Sequence, residues 1–214
     1  MLKLNFKIEL VHCRVGRPKL DFLLILSNWF QVETIRVVLK KELDLPIIEI
    51  SDPTAKLDGG DVLFTGKEFF VGLSEWTNEA GAQAVAASFP EYPCTPIKVS
   101  EKKHLKSLVT IGGPDLLCVG SGKEAQDVLK RMEREATFGY QTITLPEDEA
   151  ANVLFLNGTL VHRSLEEIPQ SFQVFANKID YPRRSINFSQ LSKGTSGLTS
   201  SCLLVRRLRH MRNL

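Results

Sequence analysis

Three side chains in the sequence could take part in chemistry, and the first is a carboxylate in a glycine-rich run. Asp58 directly precedes Gly59 and Gly60 in the run LDGGDVLFTG, whose second half is an apolar stretch typical of a β-strand. Glycines let the backbone adopt conformations closed to other residues and let a ligand approach closely. The run therefore predicts a carboxylate at the mouth of a strand, although a Gly-Gly pair between polar residues also occurs in simple turns.

A histidine and a cysteine complete this set of candidate reactive groups. His104 precedes an apolar strand, and Cys202 lies in a predicted strand of small residues near the C-terminus. A thiolate is an effective nucleophile, and a histidine with a near-neutral pKa can both donate and accept a proton. On the residues alone, a surface position after two lysines is the favoured interpretation of His104. A buried core thiol is the usual state of a free cysteine such as Cys202.

The remaining histidines carry less information. His162 stands next to Arg163 in a predicted strand and has no carboxylate partner at local spacing, so it is interpreted as structural. His210 lies in the basic C-terminal tail, residues 206–214, which is interpreted as a solvated chain end.

The composition is that of a globular protein. The 214 residues are 43% hydrophobic and 24% charged with a net charge of +2, which indicates one domain or slightly more. A charge balance this close to neutral offers no argument for a nucleic-acid partner. No apolar run reaches the roughly 18 residues of a membrane span, so no membrane partner is expected.

Cysteine usage points to a reducing compartment. Cys13, Cys94, Cys118 and Cys202 are widely spaced and form no CxxC pair, which argues against a zinc ribbon or a thioredoxin-type site. Nothing in the sequence resembles a signal peptide. A cytoplasmic location with free thiols is therefore expected.

From about residue 33 the sequence alternates between helical and extended patterns. The predicted hairpins are those of residues 62–73, 109–119 and 152–162, and the Asn-Gly turn of the last is the strongest short hairpin signal. The predicted helices are residues 33–42, 78–89, 121–135 and 170–178. Further strands are predicted at 46–50, 95–99, 142–145, 185–188 and 203–205. The unit of hairpin, helix and strand recurs every ~45–50 residues, which predicts repeated α/β modules around an axis.

Residues 33–205 resemble the dimethylarginine dimethylaminohydrolase family. The resemblance rests on four runs, LDGGDVLFTGKEFFVGLSEWTNEAGAQ, HLKSLVTIGGPDLLCVGS, LPEDEAANVLFLNG and SQLSKGTSGLTSSCLLV. It implies an α/β pentein fold, a propeller of repeated ββαβ modules, in agreement with the repeat. The predicted organisation is an unmatched segment 1–32, a pentein domain over 33–205 and the basic tail 206–214, with an incomplete propeller of about four modules.

The resemblance also implies a reaction. The family hydrolyses N-methylated arginine to citrulline and a methylamine, a reaction linked to the control of nitric oxide synthesis. By matching motif, Cys202 is the nucleophile that forms a covalent intermediate, and His104 protonates the leaving amine and then activates water. Asp58 binds the cationic guanidinium and orients the histidine. No cofactor or metal is implied, and the partner is a small cationic guanidine substrate.

The sequence departs from the family at several positions. Trp76 stands where the resemblance places a carboxylate-binding arginine, and Trp29 stands near a second one. A neutral indole cannot form a bidentate pair with a carboxylate. The pair Ser201-Cys202 stands where the resemblance places a Cys-Cys pair. At this pair the sequence resembles the second vertebrate paralogue of the family more closely. The position of the nucleophile is therefore open by one residue, which in a strand would place the side chain on the opposite face. Residues 1–32 contain nothing like the acidic strand of the family's first module, which indicates a divergent or truncated N-terminus.

Two hypotheses follow for function. One is a dimethylargininase-like amidinohydrolase, and the other is a catalytically impaired pentein that acts as a binding or regulatory protein. The departures lead us to expect low or undetectable activity on dimethylarginine. An incomplete propeller exposes strand edges that a neighbouring module would cover, so self-association is also expected.

Overall fold

The chain folds into three α/β modules of the same design. The computed structural model describes residues 9–11, 36–42, 47–100, 102–193, 197–202 and 204. Each module is an antiparallel hairpin, then a helix, then a strand that pairs in parallel with the second hairpin strand. This is the ββαβ architecture, so the repeat predicted from the sequence is confirmed. Three complete modules lie within the described residues, where about four were expected.

The modules follow one another along the chain, and their elements have the following bounds. The first consists of β3 (Val62–Phe64), β4 (Phe69–Leu73), α1 (Glu79–Ser88) and β5 (Cys94–Lys98). The second consists of β6 (Val109–Gly113), β7 (Leu116–Gly120), α2 (Lys123–Glu135) and β8 (Gln141–Leu145). The third consists of β9 (Leu154–Leu156), β10 (Thr159–Arg163), α3 (Pro169–Lys178) and β11 (Arg183–Ile186). Before them, β1 (Glu9–Val11) and β2 (Ile47–Glu49) form a separate two-stranded antiparallel sheet.

Local sequence chemistry explains the turns and helix starts. Asn157 and Gly158 both have positive φ, 49° and 75°, as the tight hairpin turn between β9 and β10 requires. Helix α1 begins after Asn78, whose side chain accepts a hydrogen bond from the N–H of Gly81 at 3.0 Å. None of the helices in the described part of the chain is long and apolar enough to cross a membrane.

Apolar contacts join one module to the next. The largest buried cluster combines Phe70 and Ile97 of the first sheet with Val119 and Met132 of the second module. Leu105 belongs to the same cluster and is fully buried. The turn that carries His104 is therefore anchored in the core between the first two modules.

Some predicted elements differ from the structure. The predicted strand 185–188 ends at Ile186, because the side chain of Asn187 accepts hydrogen bonds from the N–H and hydroxyl of Ser189 and starts a turn. Cys202 is not in a strand. A 3₁₀ turn, Leu198–Ser200, precedes it, and the N–H of Ser201 donates to the Leu198 carbonyl at 3.1 Å. A turn rather than an extended ladder therefore leads into Cys202.

Several predictions fall outside the described residues. Of the predicted last strand, residues 203 and 205 are not described, and Leu204 has no regular structure. The tail 206–214, Cys13, Trp29 and most of residues 1–32 are also outside the described ranges. Of the predicted helix 33–42, the described residues 36–42 are helical, and Val38–Glu42 forms a π-helical turn.

A buried glutamate joins the first module to the second. Glu68 is fully buried, and its carboxylate accepts hydrogen bonds from the N–H groups of Thr137 and Phe138 at 3.0 and 3.2 Å. The hydroxyl of Tyr140 donates to the same carboxylate at 2.8 Å. These donors lie in the loop that follows α2, so one carboxylate attaches that loop to the β3–β4 hairpin.

We expect Glu68→Ala to destabilise the fold by roughly 3 kcal/mol, because it leaves three donors without their acceptor. Tyr140→Phe removes one of these bonds and should cost about 1 kcal/mol. Urea unfolding followed by circular dichroism measures both values. Equal losses for the two variants would contradict the role given to the Glu68 carboxylate.

Candidate active site

The LDGGD run forms one turn of 3₁₀ helix, Gly59–Asp61, at the start of β3. Asp58 caps this turn, and its Oδ1 accepts a hydrogen bond from the N–H of Gly60 at 2.7 Å. Gly60 lies against the ring of His104, since a Cβ built on Gly60 would be 2.7 Å from the Cγ of His104. Glycine at this position therefore permits the close approach of the histidine.

Asp61, which the sequence reasoning did not single out, is the most constrained group of the site. It is fully buried, and its Oδ1 accepts a hydrogen bond from the N–H of Leu105 at 3.0 Å. Its Oδ2 accepts hydrogen bonds from the hydroxyls of Ser74 and Thr77, both at 2.7 Å. A spacing of three residues was the available signal, because side chains at i and i+3 of a 3₁₀ turn lie on the same side.

His104 lies beside both carboxylates. Its Nδ1 is 3.3 Å from Oδ2 of Asp61 and 3.7 Å from Oδ1 of Asp58. The structure thus brings Asp58 and His104 together, as the motifs predicted, with Asp61 as the nearer partner. Burial acts to lower the pKa of His104, but the carboxylates of Asp61 and Asp58 outweigh it and raise that pKa above the ordinary value.

This raised pKa predicts a pH dependence of stability. The protonated imidazole is favoured in the folded state, so its contribution is complete below the ordinary histidine pKa of about 6.5. The contribution is lost as the pH rises through the raised pKa of the folded state. We therefore expect the urea midpoint to decrease as the pH rises from about 6 to about 8, the range in which histidine titrates. The His104→Gln variant should show a smaller decrease over the same range.

His162 provides an internal contrast for the same measurement. It is buried, its Nδ1 is 2.8 Å from the carbonyl of Arg163, and its ring packs against Phe172 and Phe175. Burial lowers its pKa, so its contribution to stability is lost as the pH falls below the ordinary value. His162→Gln should leave the decrease of the urea midpoint above neutral pH unchanged. If His104→Gln also leaves that decrease unchanged, the ion pairing of His104 with Asp61 and Asp58 is contradicted. The contacts of His162 are those of the structural histidine expected from the sequence.

Two further side chains border His104. The indole of Trp76 packs on the imidazole with ring centroids 4.2 Å apart and planes inclined by 36°, and it is 38% exposed. Lys106 is half-buried, and burial lowers its pKa to about 8, although the negative charges of Asp58 and Asp61 act to raise it. The sequence placed Lys106 two residues after His104, but it did not reveal that the charges of Asp58 and Asp61 act on both side chains.

Cys202 is exposed, which excludes the interpretation that it is a buried core thiol. The turn that precedes it, Leu198–Ser200, lies beside the Gly59–Asp61 turn of the site. The other described cysteines are poorly suited to nucleophilic attack. Burial raises the pKa of Cys94 to about 11 and that of Cys118 to about 12.

The arrangement combines groups for cation binding, proton transfer and nucleophilic attack. The side chain of Asp58 is 30% exposed and can reach a bound cation, whereas Asp61 is buried and acts on His104. A histidine held by a buried carboxylate can donate and accept a proton in a defined direction. Among the residues that the structure describes, no cluster of three or more His, Cys, Asp and Glu side chains could hold a metal ion.

The chain was compared with known proteins by sequence and by structure. No protein-family model matches the chain. The human protein named "Putative hydrolase DDAH2" is 39% identical over 182 residues, which cover 82% of this chain. The dimethylarginine dimethylaminohydrolase of Streptomyces coelicolor is 35% identical over 105 residues, which are 48% of this chain and 37% of that protein. The present chain spans 64% of the length of human DDAH2.

The fold is shared with solved structures of the same group. A variant of the Pseudomonas aeruginosa enzyme DDAH, complexed with citrulline, superposes with a TM-score of 0.64 at 22% identity. The match covers 90% of this chain and 72% of the bacterial one. The three ββαβ modules and this shared fold place the chain in the pentein class. Within that class, it belongs to the dimethylarginine dimethylaminohydrolase family.

Proposed function

We propose that the protein is a dimethylargininase-like amidinohydrolase, which hydrolyses N-methylated arginine to citrulline and a methylamine. The observation that supports it best is the position of His104 against Asp61 and Asp58, beside the turn that leads to the exposed Cys202. In this proposal the enzyme works in the cytoplasm without a cofactor. Its product chemistry connects it with the control of nitric oxide synthesis.

Asp58 is proposed to bind the substrate. Its partly exposed carboxylate can accept charge-assisted hydrogen bonds from a guanidinium, which are roughly twice as strong as neutral ones. The adjoining indole of Trp76 offers an aromatic face to the same planar cation. Substrate recognition is therefore proposed to depend on the guanidinium end, because Trp76 cannot pair with the α-carboxylate of an amino acid.

The proposed reaction begins with attack of the Cys202 thiolate on the guanidinium carbon. His104 in its protonated form donates a proton to the methylated nitrogen, and the carbon–nitrogen bond breaks to release the methylamine. The raised pKa of His104 keeps the protonated form available near neutral pH. The neutral imidazole then takes a proton from water, which attacks the covalent adduct. The carbon–sulfur bond breaks to give citrulline, and the thiolate is restored.

A second candidate function is a binding or regulatory protein that retains the cation site without turnover. The observation in its favour is the position of Trp76, whose ring covers one face of the imidazole. Such a protein would bind methylated guanidines through Asp58 but would not release citrulline.

Citrulline release from asymmetric dimethylarginine by the purified chain separates the two candidates. The proposed hydrolase should show slow but saturable release, and methylguanidine, which has no α-carboxylate, should compete effectively for the site. Saturable binding of dimethylarginine by calorimetry without any citrulline would overturn the hydrolase and favour the binding protein.

A further inference from the structure

A buried asparagine lies between the turn that carries His104 and the segment that carries Cys202. Asn152 is 5% exposed, and its Nδ2 donates hydrogen bonds to the Lys106 carbonyl at 2.7 Å and to Oγ1 of Thr199 at 2.8 Å. Its Oδ1 accepts a hydrogen bond from the N–H of Thr199 at 3.0 Å. Both amide hydrogens and the amide oxygen are therefore used, and the three bonds connect segments distant in sequence.

The backbone of Asn152 is itself held in place from both sides. The hydroxyl of Thr110 donates to the carbonyl of Ala151 and accepts a hydrogen bond from the N–H of Val153. Thr110 is buried in strand β6 of the second module. The amide of Asn152 therefore projects from a fixed backbone, so it can act as a rigid reference for the segments that it contacts.

The segment before Cys202 fits closely around this amide. A Cβ on Gly197 would lie 2.5 Å from Oδ1 of Asn152, so only glycine permits the observed approach. On the apolar side, Leu198 is buried in a cluster with Leu154 and Phe188. Apolar packing thus holds the Leu198–Ser200 turn against the third module. Asn152 connects this turn to the backbone of the turn that carries His104.

We propose that Asn152 is a positioning residue that fixes the segment from Gly197 to Cys202 relative to His104. The inference rests on the proposed function for the roles of the cysteine and the histidine. The physical reason is that reacting groups must be held to within about 0.5 Å by well-supported neighbours. Asparagine supplies two donors and one acceptor in one plane, a combination that neither aspartate nor alanine provides.

The experiment measures the alkylation rate of Cys202 by iodoacetamide, using mass spectrometry of the peptide that contains it. A histidine near a thiol increases its thiolate fraction, so His104→Ala should slow labelling at neutral pH, on the order of tenfold. Asn152→Asp keeps the shape of the side chain but loses both donors. It should slow labelling similarly, and His104→Ala should have little further effect in that background, because the coupling has been lost.

Two further variants keep the test decisive. Asn177→Asp makes the same chemical change at an exposed position of α3 and should leave the labelling rate unchanged. Thr199→Val removes only the hydroxyl acceptor of Asn152, so it should reduce the His104 dependence of labelling in a chain that still folds. Circular dichroism establishes that each labelled variant is folded.

The outcomes separate this inference from the proposed function. If folded Asn152→Asp and Thr199→Val lose only thermal stability, while labelling stays dependent on His104, the positioning role is wrong. Labelling that is independent of His104 in the unmodified chain would also overturn it. If the coupling is found but the unmodified chain releases no citrulline, the positioning role stands and the hydrolase proposal fails.

Discussion

Replacement of Cys202 by serine is expected to abolish citrulline release, with a loss on the order of a thousandfold or more. The reason is that the proposed step needs an anionic nucleophile. A hydroxyl has a far higher pKa than a thiol and would require its own base to supply that anion. The exposure of Cys202 and the adjoining position of the Gly59–Asp61 turn make it the best-placed thiol among the described residues.

Ser201→Ala is the matched control for this prediction. Ser201 is also exposed and directly precedes Cys202, so the substitution tests the register of the nucleophile. We expect Ser201→Ala to retain citrulline release, and intact-mass spectrometry to detect a covalent substrate adduct only while Cys202 is present. Release retained in Cys202→Ser but lost in Ser201→Ala would assign the nucleophile to the neighbouring position.

The second large effect is expected at the buried carboxylate of the site. Asp61→Ala should destabilise the fold by roughly 3–5 kcal/mol, because it leaves the N–H of Leu105 and the hydroxyls of Ser74 and Thr77 without their shared acceptor. A loss of this size is a large part of the stability of an ordinary domain, so the variant is expected to unfold at low urea concentration.

Asp58→Ala is the matched control, because both carboxylates contact His104 but only Asp61 is buried. Asp58 caps one turn, and its loss should cost about 1 kcal/mol. In the citrulline assay, Asp58→Asn should mainly raise KM, because the guanidinium loses a charged partner. Equal losses of stability for the two alanine variants would contradict the separation of a structural and a binding carboxylate.

Much of the fold was predictable because its signals are local. The Asn157-Gly158 turn, the Asn78 cap and the apolar spacing of the helices act within a few residues, and each was present in the sequence. Strand ends were less predictable. The strand at 185–188 stops early because the side chain of Asn187 competes for backbone groups, an outcome that composition alone does not distinguish from a continued strand.

The candidate site was predictable in part. Asp58, His104 and Cys202 were identified by motif, and the structure places the first two beside each other. The sequence did not show which of two carboxylates three residues apart would be buried. That choice depends on Ser74, Thr77 and Leu105, which surround Asp61 only after β4 and the histidine turn have packed together.

The sequence by itself determined the modular repeat, the family and the candidate site residues, because these depend on patterns within short runs. The tertiary structure alone decided the contact of Trp76 with His104 and the exposure of Cys202. It also decided the role open to Asn152, whose partners lie more than forty positions away in sequence. Such pairings arise from the packing of modules against one another, and no local pattern encodes which distant groups that packing brings within hydrogen-bond distance.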